Sequence, residues 1–189
     1  MAATRSAIID ASIHAFRVNG YSATKIESVA ALAGISPRTL YRYFGSKSEL
    51  FAATIAEAAI KFVEQLSETV YHSSLNGAIL EAVERTTGGL NKETLEMMRL
   101  TSIDEEVWRY FLAATSRVQP ALATTLRHAA GKASPGSAPP VDELVWDVRA
   151  GVVLAAIGTA YRRWAMTPDS RLSKFVTIAV DTVLPSLRA

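Results

Sequence analysis

Residues 25–50 read KIESVAALAGISPRTLYRYFGSKSEL, and the chemistry of this stretch decides the fold. It spells two short helices, a tight turn between them and the start of a third. Thr24 stands where an N-cap belongs, and Glu27 follows three positions later at the spacing of a capping box. Ile26, Val29, Ala30 and Leu32 then recur at helical spacing and make one face apolar. Gly34, between Ala33 and Ile35, can take the positive φ that a sharp reversal demands. Ser36 is a second cap, and Pro37 sits in the first turn behind it, where a missing N–H costs nothing. Leu40 and Phe44 point back to a core, which leaves Arg38, Thr39, Tyr41, Arg42 and Tyr43 near or on the other faces. Ser46 and Glu49 repeat the capping-box spacing, so a further helix starts at about Lys47. The whole is a helix-turn-helix.

These residues also carry a resemblance. The run Thr39 to Leu50, TLYRYFGSKSEL, resembles the recognition-helix signature of the tetracycline-repressor (TetR) family of bacterial regulators. Gly20 to Thr24 (GYSAT) and Ala30 to Ser36 (AALAGIS) match that family as well. Beyond roughly the first quarter of the chain, the likeness is one of length and helical character only. The resemblance implies an all-α protein of about nine helices, with an N-terminal three-helix DNA-binding head and a C-terminal helical body. The head takes residues 1–46 and the body, for ligand binding and dimerisation, residues 47–189. It further implies a ligand-released repressor that binds a palindromic DNA operator as a homodimer.

Composition agrees with such a protein. The 189 residues fit one or two small domains, and with 10 glycines, 7 prolines and little β-branched alternation they favour helices. The absence of cysteine excludes disulfides, thiolate nucleophiles and zinc–sulfur sites. No apolar run looks long enough for a membrane span, and the N-terminus leads into an amphipathic pattern and not a signal-peptide core. A cytoplasmic, nucleoid-associated protein is expected. Charge is unevenly placed: six Lys/Arg against three Asp/Glu through Leu50, then fourteen against fifteen, within a net +2. Excess positive charge beside the helix-turn-helix is what a phosphate-facing module needs.

Along the chain, Arg5–Val18 is expected as the first helix, with Ile9, Ile13 and Phe16 as its core stripe, stopped at Asn19-Gly20. Tyr21 packs under the head. A long helix from about Lys47 to Tyr71 follows, then a break at Ser73 to Gly77 and a helix to about Leu90. Asn91 to Glu93 opens another helix, with Leu95, Met97, Met98 and Leu100, and Ser102 to Glu106 resembles a cap. Pro120 either kinks the next helix or restarts it. Gly131 to Pro140 has the composition of a loop within the body. Two long helices, about Val141–Met166 and Asp169–Leu187, close the chain.

Arg38 lies early in the second helix, where side chains reach base edges, and guanine is its natural bidentate partner. Thr39 and Tyr41 suit a thymine methyl or a phosphate. The family resemblance gives phosphates to Tyr43 and Lys47, and also to Thr24 and Lys25 at the start of the preceding helix. Ser36 and Pro37 at the start of the second helix and Arg42 further along it complete the expected contact residues, and free backbone N–H groups at helix starts add to the grip.

In the body, Phe62, Leu66, Met97, Met98, Trp108, Phe111 and Trp146 are either plain core or the walls of an apolar pocket. Tyr71, His72 or Arg109 would be its polar anchors. Small residues at Gly151, Ala155 and Gly158 and the stripe Leu172, Val176, Ala179 and Val183 let the last two helices approach closely. They pack on each other, and by resemblance also on their copies in a second subunit. No cofactor, metal or membrane partner is implied. His14, His72 and His128 have no metal-ligand spacing, and no phosphate loop or nucleophile elbow is present, so an enzyme is the least favoured class. The nearer rival is a DNA-binding scaffold whose body answers to no small molecule.

Overall fold

The computed structural model describes residues 2–87, 99, 105–133, 143–167 and 169–187. Among these are eight helices and no strand. They are α1 (Ala2–Ala23), α2 (Ile26–Leu32), α3 (Pro37–Tyr43), α4 (Lys47–Thr69), α5 (Leu75–Thr87), α6 (Glu105–Ala133), α7 (Glu143–Ala165) and α8 (Leu172–Leu187). The expected helix with Leu95, Met97, Met98 and Leu100, the cap at Ser102 and the loop from Ser134 to Pro140 lie outside the described residues.

Local chemistry sets most boundaries. The backbone leaves the helix at Gly20 (φ 75°, ψ 163°), a conformation a side chain would resist, and one further turn completes α1. The capping box expected at Thr24 does not form. Lys25 is the extended residue before α2 and makes no side-chain cap. Thr24 is only 3% exposed, and its hydroxyl donates backwards to the carbonyls of Gly20 (2.6 Å) and Ala15 (3.2 Å). It therefore closes α1 instead of opening α2. Leu32 is a second correction: at 55% exposed it falls past the edge of the face that buries Ile26, Val29 and Ala30. Gly34 has φ 68°, and the amides of Gly34 and Ile35 bond back to Ala31 and Ala30, so the reversal is the glycine turn anticipated.

The Ser36 hydroxyl accepts the Thr39 N–H at 3.1 Å with Pro37 next to it, as a capped helix start requires. At α4, Ser46 accepts the Glu49 N–H at 3.0 Å, while the Glu49 carboxylate takes the Gly45 N–H at 2.7 Å. The capping box is one residue wider than its usual form. Pro120 neither ends nor restarts a helix but lies inside α6, which also takes in Gly131 to Ala133. Helix α8 begins three residues later than Asp169, because that residue adopts φ 55° and the Trp164 indole N–H ties down the Ser170 carbonyl at 3.0 Å.

The chain packs as two compact units, one ending within α4 at Glu57 and including the start of α6 through Phe111, the other formed by the remainder. In the first, α1 lies on α2 and α2 on α3 around Ile8, Ile9, Val29, Leu40, Phe44 and Leu50. Ile9 and Phe16 are buried as expected, but Ile8 and Ser12 are buried too, so the α1 stripe is broader than three residues. Phe16, Tyr21 and Phe51 meet in a trio of rings with centroids 5.0–5.5 Å apart. The second unit is organised around Phe62, Leu66, Ile79, Leu122, Val153, Val176 and Val180, with α7 lying along α8 and α5 also against α8.

One helix, α7, is after all long and apolar enough to cross a membrane by length and composition. Eight of its residues, from Ala150 to Trp164, are buried inside the second unit, and a core helix passes the same test.

The Gly34 turn yields a prediction. A Cβ at Gly34 would meet nothing within 4 Å, so only the backbone conformation is at stake. Gly34→Ala should lower stability by about 1–2 kcal/mol in urea unfolding, and Gly34→Asn by clearly less. Equal losses for the two variants would mean that φ is not the constraint.

Candidate nucleic-acid interface

Helix α3 has seven residues, too few to hold itself together in water. It is held by Leu40 and Phe44, both essentially fully buried in the core of the first unit. Burying that side turns Arg38, Tyr41 and Arg42 out to solvent. Tyr43 is half-buried against the core, and the Arg42 guanidinium sits 5.7 Å from the centre of its ring. Thr39 is also half-buried, its hydroxyl 2.9 Å from that of Ser36. The Arg5 guanidinium lies 5.2 Å from the Phe44 ring centre, so α1 adds a cation close to α3. Arg38 and Arg42 are the charged residues of α3, which carries no carboxylate. The exposed face of this helix therefore offers two guanidinium groups, a phenol and no negative charge, a surface suited to base edges and phosphates.

Of the other expected contacts, Lys25, Ser36 and Pro37 are exposed. Thr24 is a correction: buried and bonded to carbonyls of α1, its hydroxyl cannot meet a phosphate. The Lys47 ammonium stands 3.3 Å from the Ser22 carbonyl and 4.4 Å from the centre of the Tyr21 ring, and partial desolvation lowers its pKa. Sequence reasoning missed Arg5, Ser22 and the role of Tyr21 here. The Gly20-Tyr21 pair was visible, but its partner is 25 positions away from Ser22.

The described residues proposed for a ligand are divided between the two units. Phe62 and Leu66 are buried in the core of the second unit, and Trp146 is half-buried against that core with the Arg149 guanidinium 4.7 Å from its ring centre. Trp108 and Phe111 belong to the first unit, stacked on each other with centroids 4.9 Å apart and planes 15° apart. Met97 lies outside the described residues. Tyr71, His72 and Arg109 are exposed.

The dimer candidates divide as well. Gly151 is small for a reason within this chain: a Cβ there would come within 3.2 Å of the Gln119 amide of α6, which donates to the Asp147 carbonyl at 3.0 Å. Gly158 and Val176 are buried in the second unit and cannot present area to another subunit. Ala155 is exposed, and Leu172, Ala179 and Val183 are half-buried. Leu144 and Val148 on α7 and Ile178 on α8 are exposed apolar residues that lay outside the expected set.

Residues 8–54 match the family model described as bacterial regulatory proteins of the tetR family. The fatty acid metabolism regulator protein of Bacillus subtilis is 30% identical over 63 residues, 33% of this chain and 32% of that protein. The matched part thus spans about a third of that relative's length. The HTH-type transcriptional regulator TcmR of Streptomyces glaucescens is 24% identical over 198 residues, 98% of this chain and 83% of that protein. Among solved structures, the FadR of Thermus thermophilus, a TetR family transcriptional repressor in complex with lauroyl-CoA, superposes with a TM-score of 0.61 at 17% identity. That match covers 95% of this chain and 93% of the other, a likeness of fold.

The Ser36 cap can be probed directly. Ser36→Ala should cost about 1 kcal/mol of stability in chemical denaturation, whereas Ser36→Asp should hold it near the starting value. A loss shared equally by both variants would show that the hydroxyl's bond to Thr39 is not what starts α3.

Proposed function

We propose, from the premise that the chain belongs to the TetR family through its head, that this protein is a sequence-specific DNA-binding transcriptional regulator. In this reading it is a ligand-released repressor that binds a palindromic operator as a homodimer in the cytoplasm, with residues 1–46 as the head and 47–189 as the body. One observation carries the DNA reading: burial of Leu40 and Phe44 directs Arg38, Tyr41 and Arg42 away from the core on a capped helix that follows a glycine turn. Such a helix enters the major groove with its early residues at base edges. Arg38 reads guanine, and Tyr41 and Thr39 take a thymine methyl or a phosphate. Arg42, Tyr43 and Lys25 hold phosphate oxygens.

Two heads on a twofold axis would read two half-sites about one helical turn apart. Pairing of α7 and α8 with their copies would supply that axis, with Ala155, Leu172, Ala179 and Val183 joined by the exposed Leu144, Val148 and Ile178. A ligand that prefers one arrangement of the recognition helices would lower operator affinity by its differential binding. Trp146, with the Arg149 guanidinium beside its ring, is the residue proposed to meet a ligand, and helix α4, which has residues in both units, is the proposed connection. The solved repressor with lauroyl-CoA makes acyl-CoA a rational first probe. The alternative, a DNA-binding scaffold without small-molecule control, draws support from the burial of Phe62 and Leu66 in packed core. An enzymatic role has no support from the relatives, which are transcriptional regulators.

Selection of duplexes from a random pool tests the main reading, with a palindrome as the expected result and no enrichment as the result against it. On the selected duplex, Arg38→Ala should cost about 1–3 kcal/mol and relax preference at one base pair per half-site. Lys25→Gln should instead weaken all duplexes alike and reduce the salt slope by about one per contacting subunit. Lauroyl-CoA, if an effector of the kind proposed, should raise Tm and release the duplex. A Tm rise without release would favour the scaffold.

A further inference from the structure

We propose that Arg149, resting on the ring of Trp146, anchors the head group of an effector: an anionic oxygen group, carboxylate or phosphate, carried on an apolar body. The proposal deepens the ligand-released reading above and rests on it. Three observations within the second unit carry it.

The first is position. Helix α7 buries one side, with Ala150, Val153, Ile157 and Trp164 along it. At about 100° per residue, Arg149 stands almost in line with Ala156 and Ala160, about two and three turns further along. Both alanines are buried. Arg149 therefore belongs to the inner arc of the helix, and it is itself half-buried. Arginine rarely lies on such an arc without a partner, because a charge that leaves water has to be compensated.

The second is the counter-charge. The guanidinium lies 4.7 Å from the centre of the Trp146 ring, which holds it in place. Among the described residues no carboxylate pairs with it and no oxygen accepts its hydrogen bonds. The two carboxylates of α7 are turned elsewhere. Glu143 stands 3.7 Å from Arg127 of α6. Asp147 is exposed, and two residues' separation puts it about 200° around the helix from Arg149. A ring attracts the cation but does not neutralise it. The fork of N–H donors that suits a carboxylate or phosphate therefore has no acceptor among those residues. Its nitrogens are not sealed from solvent, so a ligand can reach them.

The third is the collar around the charge. The helix neighbours of Arg149, three and four positions before and after it, are Val145, Trp146, Val152 and Val153. All four are apolar, and Trp146 packs against the core of the second unit. A small inorganic anion would meet the guanidinium and leave this collar wet. An anionic head on an apolar body satisfies both, because the head takes the N–H fork while the body removes the collar from water. Removal of the charge would then abolish recognition of the head group at no cost to the fold. That is the trade expected of a functional group held in an unfavourable place.

The test uses the full-length protein and two apolar bodies with interchangeable heads: octanoate, octyl phosphate and octan-1-ol, and 2-naphthoate against 2-naphthol. Binding is followed without DNA, by calorimetry and tryptophan fluorescence, for the unmodified protein, Arg149→Met and Arg149→Lys. At least one anion should bind about tenfold more tightly than the alcohol of the same body, or better. The comparison of octanoate with octyl phosphate then distinguishes the two head groups. Arg149→Met should bring that anion and its alcohol to equal affinity, with the Tm of the unliganded protein unchanged or raised. Arg149→Lys should keep part of the preference, since it retains the charge but not the fork.

Alcohols that bind as tightly as their anions, or no binding by any of the probes, would overturn the proposal. So would an anion preference that survives in Arg149→Met. A lowered Tm in unliganded Arg149→Met and Arg149→Lys alike would overturn it too, by showing that the guanidinium belongs to the packing. Failure of the underlying reading looks different. An anion that binds through Arg149 without releasing the duplex selected by the protein would leave the site standing and remove ligand-released repression. Should the protein select no duplex, the DNA-binding reading falls, and the binding measurements alone still decide on Arg149.

Discussion

The structure of the head depends on the burial of two side chains, one from a very short helix and one from the residue that ends it. Leu40 and Phe44 are essentially fully buried, and their burial holds seven residues helical and in one orientation. A free peptide of that length would not stay helical, because the cost of nucleation is recovered only over many more residues. Removing an apolar group of this size from water is worth about 1.5–3 kcal/mol, several times the intrinsic helix preference of any one residue. Core packing thereby does two things at once. It makes the helix exist, and it determines that Arg38, Tyr41 and Arg42 face outward.

Around that helix the backbone is managed by small polar groups, each near a helix end where donors or acceptors have no intrahelical partner. Gly34 lets the chain reverse, Ser36 takes the Thr39 N–H, Ser46 takes the Glu49 N–H, and Thr24 answers carbonyls of α1. None of these contacts is large alone, at about 1 kcal/mol each. Together they set where each helix starts and stops, and hence where the side chains of α3 lie along its length. The body follows a different rule. The second unit of the chain is held by long helices in apolar contact, and small residues such as Gly151 appear where a neighbouring side chain, here Gln119, comes close.

The head was more legible than the body, and particular residues show why. Gly34, Ser36, Pro37, Leu40 and Phe44 were read correctly because each acts through the residues within about one helical turn of it. Thr24 was misread for want of a neighbour: a threonine three residues before a glutamate has the spacing of a cap, but the carbonyls it bonds belong to the preceding helix. Leu32 is apolar and correctly spaced, yet lies just past the edge of the face that meets α1 and α3. In the body, Gly158 and Val176 were read as packing the last two helices on each other and, by resemblance, on a second subunit. They are buried within one subunit, because α7 and α8 lie along each other.

Sequence alone therefore determined the all-helical class, the helix-turn-helix and the likeness to the TetR family. The first two rest on short-range rules of capping, turn formation and helical periodicity that operate between residues close in the chain. The third rests on the resemblance of particular residues between Gly20 and Leu50 to that family's signature. Tertiary structure alone decided that Thr24 is buried, that the Lys47 ammonium meets Ser22 and Tyr21, and that Gln119 comes against Gly151. Those outcomes depend on which distant segment arrives beside a residue. Spacing along the chain does not encode that arrival, because apolar burial is non-directional and is satisfied by many partners until the whole core is packed.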